Sequence, residues 1–276
     1  MAVVFSLNPD VQTKVYPITS SPIAEQAQLA STPLPKSAIP AHMRDLHQLL
    51  KQCQKLLYTV YYREMGWRPN AKAHTQFDIR EEEKLFCDRY DETAIWTVIL
   101  DPARSKLAAC TRLLSAKLSP KGFNEAQPDL DILGYSGCPE SFRDWVQAKG
   151  AQRVFEGQRF AIAAEYRRLC LPYHVFHVNT LAYMSDSKSP LYDPEAVCVM
   201  TVPIHTRKYV MAAGGIHDKT QNWAVCYEKG DPMGPVPIFT LVSAAITPSI
   251  QAFFKARMEK QRETYFLRDL IKTSLA

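Results

Sequence analysis

No stretch of this chain is apolar enough to cross a membrane, and its opening residues, MAVVFSLNPDVQ, lack the basic start and apolar core of a signal peptide. Those absences predict a cytoplasmic protein. Cys-x-x-Cys pairs are also missing: seven cysteines, at 53, 87, 110, 138, 170, 198 and 226, are scattered singly. An odd, unpaired set predicts reduced and mostly buried thiols, not a disulfide framework. There is no long Lys/Arg run and the net charge is only +5, so nucleic-acid binding has little support, while an acidic protein partner stays compatible. The phosphate loop Gly-x-x-x-x-Gly-Lys and the nucleophile elbow Gly-x-Ser-x-Gly are absent, and no cysteine lies in a catalytic motif. His174 and His177 follow Cys170 at helical spacing. Zinc needs three or four ligands and no others are evident, so a metal-free histidine pair is the better reading.

What is present fits a globular protein with a real core: 276 residues, 46% of them hydrophobic, and no internal repeat. Residues 1–40 carry Pro9, Pro17, Pro22, Pro33, Pro35 and Pro40 among Ser, Thr, Ala and Gln, which predicts a flexible N-terminal arm. Met43, Leu46, Leu50, Cys53, Leu57, Val60 and Tyr61 fall on one face at helical spacing, predicting an amphipathic helix over 43–61 that ends near Gly66-Trp67. The polar connection that follows has room for a short helix at 79–86. Pro120, Gly122, Pro128, Gly134 and Gly137 mark a long loop before a helix at about 140–148. Beyond the central strand, helices are expected at 170–184 and 206–213, the second closed by Gly214-Gly215, and strands at 195–203, 222–227 and 238–244.

The principal domain is therefore expected over 41–247. Residues 248–276 read as a basic helix with Lys255, Arg257, Lys260, Arg262, Arg268 and Lys272. That face is either solvated, a docking surface for an acidic carrier protein, or a membrane-surface helix. Together the elements predict an α/β (α+β) three-layer fold, a mixed central sheet flanked by helices.

Chemistry concentrates in two stretches. Residues 94–100 and 107–114 are apolar runs joined by Asp101-Pro102-Ala103-Arg104-Ser105-Lys106, which reads as a hairpin. Arg112 shares a face with Ala108, Cys110 and Leu114 in the second strand, where a guanidinium needs a carboxylate partner; Asp88, Asp91 and Glu156 are on offer. The second stretch, RVFEGQRFAI over 153–162, reads as a central strand. A bulge at or next to Gly157 would bring Glu156 and Arg159 to one side.

In chain order Tyr61, Gly66-Trp67, Asp88 and Asp91, Thr-Arg-Leu-Leu around Arg112, and Glu-x-x-Arg-Phe at Glu156, Arg159 and Phe160 resemble the acyl-homoserine-lactone synthases of bacterial quorum sensing. The resemblance covers roughly residues 49–162 and implies the GNAT acyltransferase fold. It also implies transfer of an acyl chain from acyl carrier protein, or coenzyme A, to the amine of S-adenosylmethionine. Both are substrates, and no permanently bound cofactor or metal is implied. By the same resemblance Tyr61 and Trp67 lie near the amine substrate, Asp88, Asp91 and Arg112 form a charged cluster shaping its site, and Glu156 and Arg159 flank the reacting centre. Leu57 stands where the family carries an arginine.

Residue chemistry is compatible with those roles. Glu156, between Phe155 and Phe160, can have a raised pKa and act as base, with Arg159 holding it; a backbone N–H freed by the bulge can meet the developing oxyanion. Phe155 and Phe160 are placed with the substrate. Trp67 suits stacking on adenine or cation–π contact with a sulfonium. Val154, Ile162, Leu169, Leu171 and Phe176 are candidates for the acyl cleft. Other readings stay open: a buried ion network that merely orients two strands, Trp67 as a core residue, an N-acyl amino acid synthase with the same donor, or a non-catalytic module on the same fold. Oligomeric state is not legible.

Overall fold

The computed structural model of the chain describes residues 1–16, 18, 34–68, 77–135, 137–167, 175, 178–179, 191–203, 206–226, 235–242, 244–246, 248–250 and 252. Strands β1 (Ala2–Phe5) and β2 (Lys14–Tyr16) come first, followed by helix α1 (Leu46–Leu57). A small hairpin, β3 (Asp78–Arg80) with β4 (Leu85–Cys87), precedes the long hairpin β5 (Ile95–Asp101) and β6 (Lys106–Ser115). One helical turn, α2 (Asp131–Gly134), and helix α3 (Glu140–Lys149) lead to β7 (Val154–Ile162). Then come β8 (Val197–Thr201), α4 (Arg207–Ala212), β9 (Ala224–Val225) and β10 (Val236–Val242).

Eight strands make one mixed sheet in the order β2-β1-β5-β6-β7-β8-β10-β9, and β7 with β8 is its parallel pair. Period-two alternation divides the side chains between two cores. Val3, Phe5, Trp96, Val98, Cys110 and Leu114 meet α1 and α3 on one face. Val4, Ile95, Ile99, Leu113 and Phe155 meet Val175, Val178 and Val210 on the other. This is the three-layer arrangement the sequence predicts.

Several expectations need correction. The first residues are no arm: β1 pairs antiparallel with β5 across four residues, and all four of its side chains are fully buried. Prolines mark the connections around these strands, while AVVF itself has strand composition, so the domain begins well before residue 41. The expected helix at 79–86 is the β3–β4 hairpin, turned through Lys84 at φ 58°. Helix α1 starts later than expected because Asp45 caps it, accepting from the His47 and Gln48 N–H groups, and it passes at Tyr58–Glu64 into a π-helical segment. Ala108 packs on the face opposite Cys110 and Leu114, since the register shifts between Ile99 and Leu100. The expected helices at 170–184 and 248–275 lie largely outside the described residues, as do His174 and His177. The six described cysteines are all free thiols, and no described helix is long and apolar enough to cross a membrane.

Candidate active site

The parallel pair is where the sheet opens. β7 and β8 are in register only at Val154, Phe155 and Glu156 against Val197, Cys198 and Val199. Past Glu156 pairing stops, and a cavity of about 430 Å³ is lined by Gly157, Arg159, Phe160 and Ile162 on one side and Met200 and Val202 on the other. Beyond that point the β7–β8 ladder does not continue among the described residues. Gly157 stands here because Met200 lies against it: an added Cβ would meet Met200 Cγ at 3.0 Å.

The expected bulge exists, two residues further along. Cys110 pairs with Ala161 while Arg112 pairs with Gln158, so the extra residue lies at Arg159–Phe160, and Arg159 takes φ 53°. Gly157 stays in register with Leu113. A non-glycine residue in that region is strained unless its surroundings hold it. Here Tyr61 Oη donates to the Phe160 carbonyl at 3.2 Å and Thr111 Oγ1 to the Gln158 carbonyl at 2.8 Å. The consequence is the expected one: Glu156, Gln158 and Arg159 all face the α1 side.

Arg112 is fully buried there. Its Nη1 donates to Asp88 Oδ1 at 2.6 Å and to Asp91 Oδ1 at 2.7 Å, and its Nη2 to Asp88 Oδ2 at 2.5 Å. The two aspartates, not Glu156, are therefore its carboxylate partners. Helix α1 reaches the same cluster through Gln54 Nε2, which donates to Asp91 Oδ2 at 2.9 Å. Burial alone would raise the Asp88 pKa, but Arg112 and Arg159 outweigh it and hold the group below its ordinary value. Asp91 is pushed up to about 6 by burial and by the charge of Asp88.

Glu156 is held differently from the expectation. Arg159 lies 3.3 Å from Asp88 and 4.0 Å from Asp131 and makes no ion pair with Glu156. The Glu156 carboxyl accepts from the Ile132 N–H at 3.0 Å and from Gln158 Nε2. Gln158 is in turn fixed by Arg112, whose Nε and Nη2 donate to its Oε1 at 3.1 and 2.7 Å, and its Nε2 also donates to Asp131 Oδ2 at 2.7 Å. Burial first, and the Asp131 charge second, push Glu156 up to about 8.

Sequence reasoning missed Asp131 and Gln158. The long loop that carries Asp131 is pinned by Asp129, which accepts from Ser119 Oγ at 2.8 Å, Tyr90 Oη at 3.0 Å and Arg89 Nη2 at 2.5 Å. Its Pro-Asp-Leu-Asp wording gives no sign of that burial, and a neutral amide between two charges draws no notice. Among the described residues no cluster of His, Cys, Asp or Glu suits a metal ion.

Aromatic rings close the other wall. Trp67 stacks on Phe86 with centroids 5.5 Å apart and meets Phe77 edge-on at 5.2 Å; Tyr61 lies 5.8 Å from Trp67. The Arg159 guanidinium sits among them, 5.2 Å from Trp67, 4.7 Å from Phe77 and 5.3 Å from Phe86. Trp67 thus already carries a cation of the protein's own. Tyr61 lines the cavity, and burial pushes its phenol up to about 12.

Of the residues singled out from sequence, Tyr61, Trp67, Glu156, Arg159, Phe160 and Ile162 line the cavity, and Asp88, Asp91 and Arg112 form the buried layer behind them. Phe155 does not belong: strand alternation turns it into the opposite core, beside Leu113. Val154 packs in the α1-side core and Leu57 is buried on α1, both away from the cavity. Leu169, Leu171 and Phe176 lie outside the described residues.

Residues 56–175 match the family described as the acetyltransferase (GNAT) domain. The chain has a GNAT-like α/β fold. That match spans the π-helical segment, both hairpins and all of β7. Similar solved structures include the CoA-dependent acyl-homoserine lactone synthase BjaI with SAM and isopentyl-CoA, 11% identical over 77% of this chain and 84% of that one, TM-score 0.44. Others are the CoA-dependent synthase MesI, 17% identical over 77% and 91%, TM-score 0.47, and TofI in a ternary complex with an inhibitor and MTA, 16% identical over 78% and 94%, TM-score 0.39. No curated protein sequence matches the chain. In this GNAT-like fold the cavity, the bulge and the buried charges meet at the point where β7 and β8 part.

Proposed function

We propose that the chain transfers an acyl group from a thioester, on acyl carrier protein or coenzyme A, to the amine of S-adenosylmethionine, giving an N-acyl-homoserine lactone. One observation carries the reading: a cavity at the parting of β7 and β8 lined by largely apolar side chains and by a buried carboxyl, Glu156, whose pKa is raised into the neutral range. Glu156 is the base that receives a proton from the incoming ammonium, its elevated pKa matching the task near neutrality. The freed amine attacks the thioester carbonyl, the C–N bond forms, the C–S bond breaks, and the thiol leaves. The β7 segment past Glu156 faces the acyl donor, and backbone donors near the bulge face the developing oxyanion.

The acceptor is argued from charge. Four buried carboxyls, Asp88, Asp91, Asp131 and Glu156, face two guanidiniums, Arg112 and Arg159, so the wall favours a cationic amine. Tyr61 and Trp67 bound the amine end. Asp88, Asp91 and Arg112 fix its shape, and Arg159, clamped by rings, orients the bulge beside it. Phe160, Ile162 and Met200 receive the acyl chain.

Mass spectrometry of lipid-soluble products from bacteria overexpressing the chain, beside an empty vector and Glu156→Gln, tests this. An acyl-homoserine lactone made only by the unaltered chain is expected. An N-acyl amino acid without lactone would replace the acceptor, and normal product from Glu156→Gln would remove Glu156 as base.

A further inference from the structure

The carboxyls of Asp131 and Glu156 are tied to one side-chain amide. Gln158 Nε2 has two hydrogens, and they go to Asp131 Oδ2 and Glu156 Oε1, while Oε1 of the same amide accepts twice from Arg112. Reversing the amide would aim its N–H groups at a guanidinium, so its orientation is fixed. Glu156 also accepts from the Ile132 N–H at 3.0 Å, next in sequence to Asp131. The contact locks the loop that carries one carboxyl to the strand that carries the other. Both guanidiniums lean the other way: Arg112 binds Asp88 and Asp91, and Arg159 is nearer Asp88 than Asp131.

We propose that Asp131 and Gln158 are positioning residues for Glu156: the Gln158 amide holds the Glu156 carboxyl in place, and Asp131 sets a negative charge beside it. Burial and the Asp131 charge push the Glu156 carboxyl up to about 8. The surrounding titratable groups are Arg112 from β6, Arg159 from β7, Tyr90 before β5, Tyr135 and Cys138 after α2, and Cys198 from β8. Burial pushes Cys138 up to about 11 and Cys198 to about 12, and it raises Tyr90 further, so they stay neutral through the range in which Glu156 ionises.

Used in the acyl transfer proposed above, on which this step rests, ionised Glu156 accepts one proton from the substrate ammonium. The amine adds to the thioester carbonyl, the C–S bond breaks, and the departing thiolate takes the nitrogen's second proton. Glu156 then returns the first to solvent.

The test begins without substrate, so it stands even if that activity does not. Infrared titration of the intact protein is expected to show a protonated carboxyl band that is lost as pH rises through about 8. Asp131→Asn keeps an oxygen for the Gln158 amide and removes a negative charge. Its band is expected to vanish at a pH lower by about one unit or more. The rising limb of kcat/KM against pH for acyl transfer should move the same way. Gln158→Glu keeps oxygens for Arg112, adds a third carboxyl and should move the midpoint upward; it decides the matter if circular dichroism shows Asp131→Asn unfolded. A titration unchanged from the unaltered chain in the folded variants would overturn these positioning roles. The same shift in a protein that makes no acylated product would keep the positioning roles and sink the acyl-transfer reading instead.

Discussion

At the scale of single residues, Arg112 governs the site. It is buried, spans three elements and leaves Asp88 and Asp91 without its two Nη groups if removed. Breaking a buried pair from one side strands the opposing charge, so Arg112→Met is expected to lower stability by about 3–5 kcal/mol, read from urea unfolding. A loss near zero would mean the aspartates find other donors. Glu156 gives the opposite sign. Its folded pKa, about 8, lies above its ordinary 4.5, so between those values the folded state binds more protons and stability falls as pH rises. The slope is about 1.4 kcal/mol per pH unit for such a group. Glu156→Gln should flatten the decline of Tm from mildly acidic pH to about 8, and equal slopes in the two proteins would contradict the assignment. Asp88, held low, contributes stability at neutral pH that is lost on acidification.

At the scale of elements, β7 does two jobs through two local irregularities. Its bulge at Arg159 sets three polar side chains on one face, and Gly157 leaves room for Met200 where β8 departs. Gly157 has an ordinary φ, so a methyl group there brings crowding without backbone strain. Gly157→Ala should press Met200 into the cavity, raising KM for the acyl donor with kcat little changed and stability altered by about 1 kcal/mol. An unchanged KM would show that Met200 swings away from the opening.

At the scale of the whole molecule, the sheet extends past the hairpin through β1, whose Val3, Val4 and Phe5 are fully buried. Burial of each such side chain stabilises the fold by about 1.5–3 kcal/mol, and losing the strand would bare the β5 edge. Deleting residues 1–16 is therefore expected to give aggregated protein, seen as loss of the monodisperse peak in size exclusion. A truncated chain that stays soluble with unchanged Tm would refute this.

The amino-acid order by itself determined the long hairpin, α3, the central strand and the identity of the charges that gather, because period-two and helical apolar patterns are local properties. It also carried the ordered motif from Tyr61 to Phe160. What only the tertiary structure decided was pairing. Arg112 chose Asp88 and Asp91, Arg159 turned to the rings and Asp88, and Glu156 fell to Gln158 and the Ile132 N–H. Such choices depend on which loop folds over which strand. Asp131 is 27 residues from the amide it binds, and no local pattern records that distance.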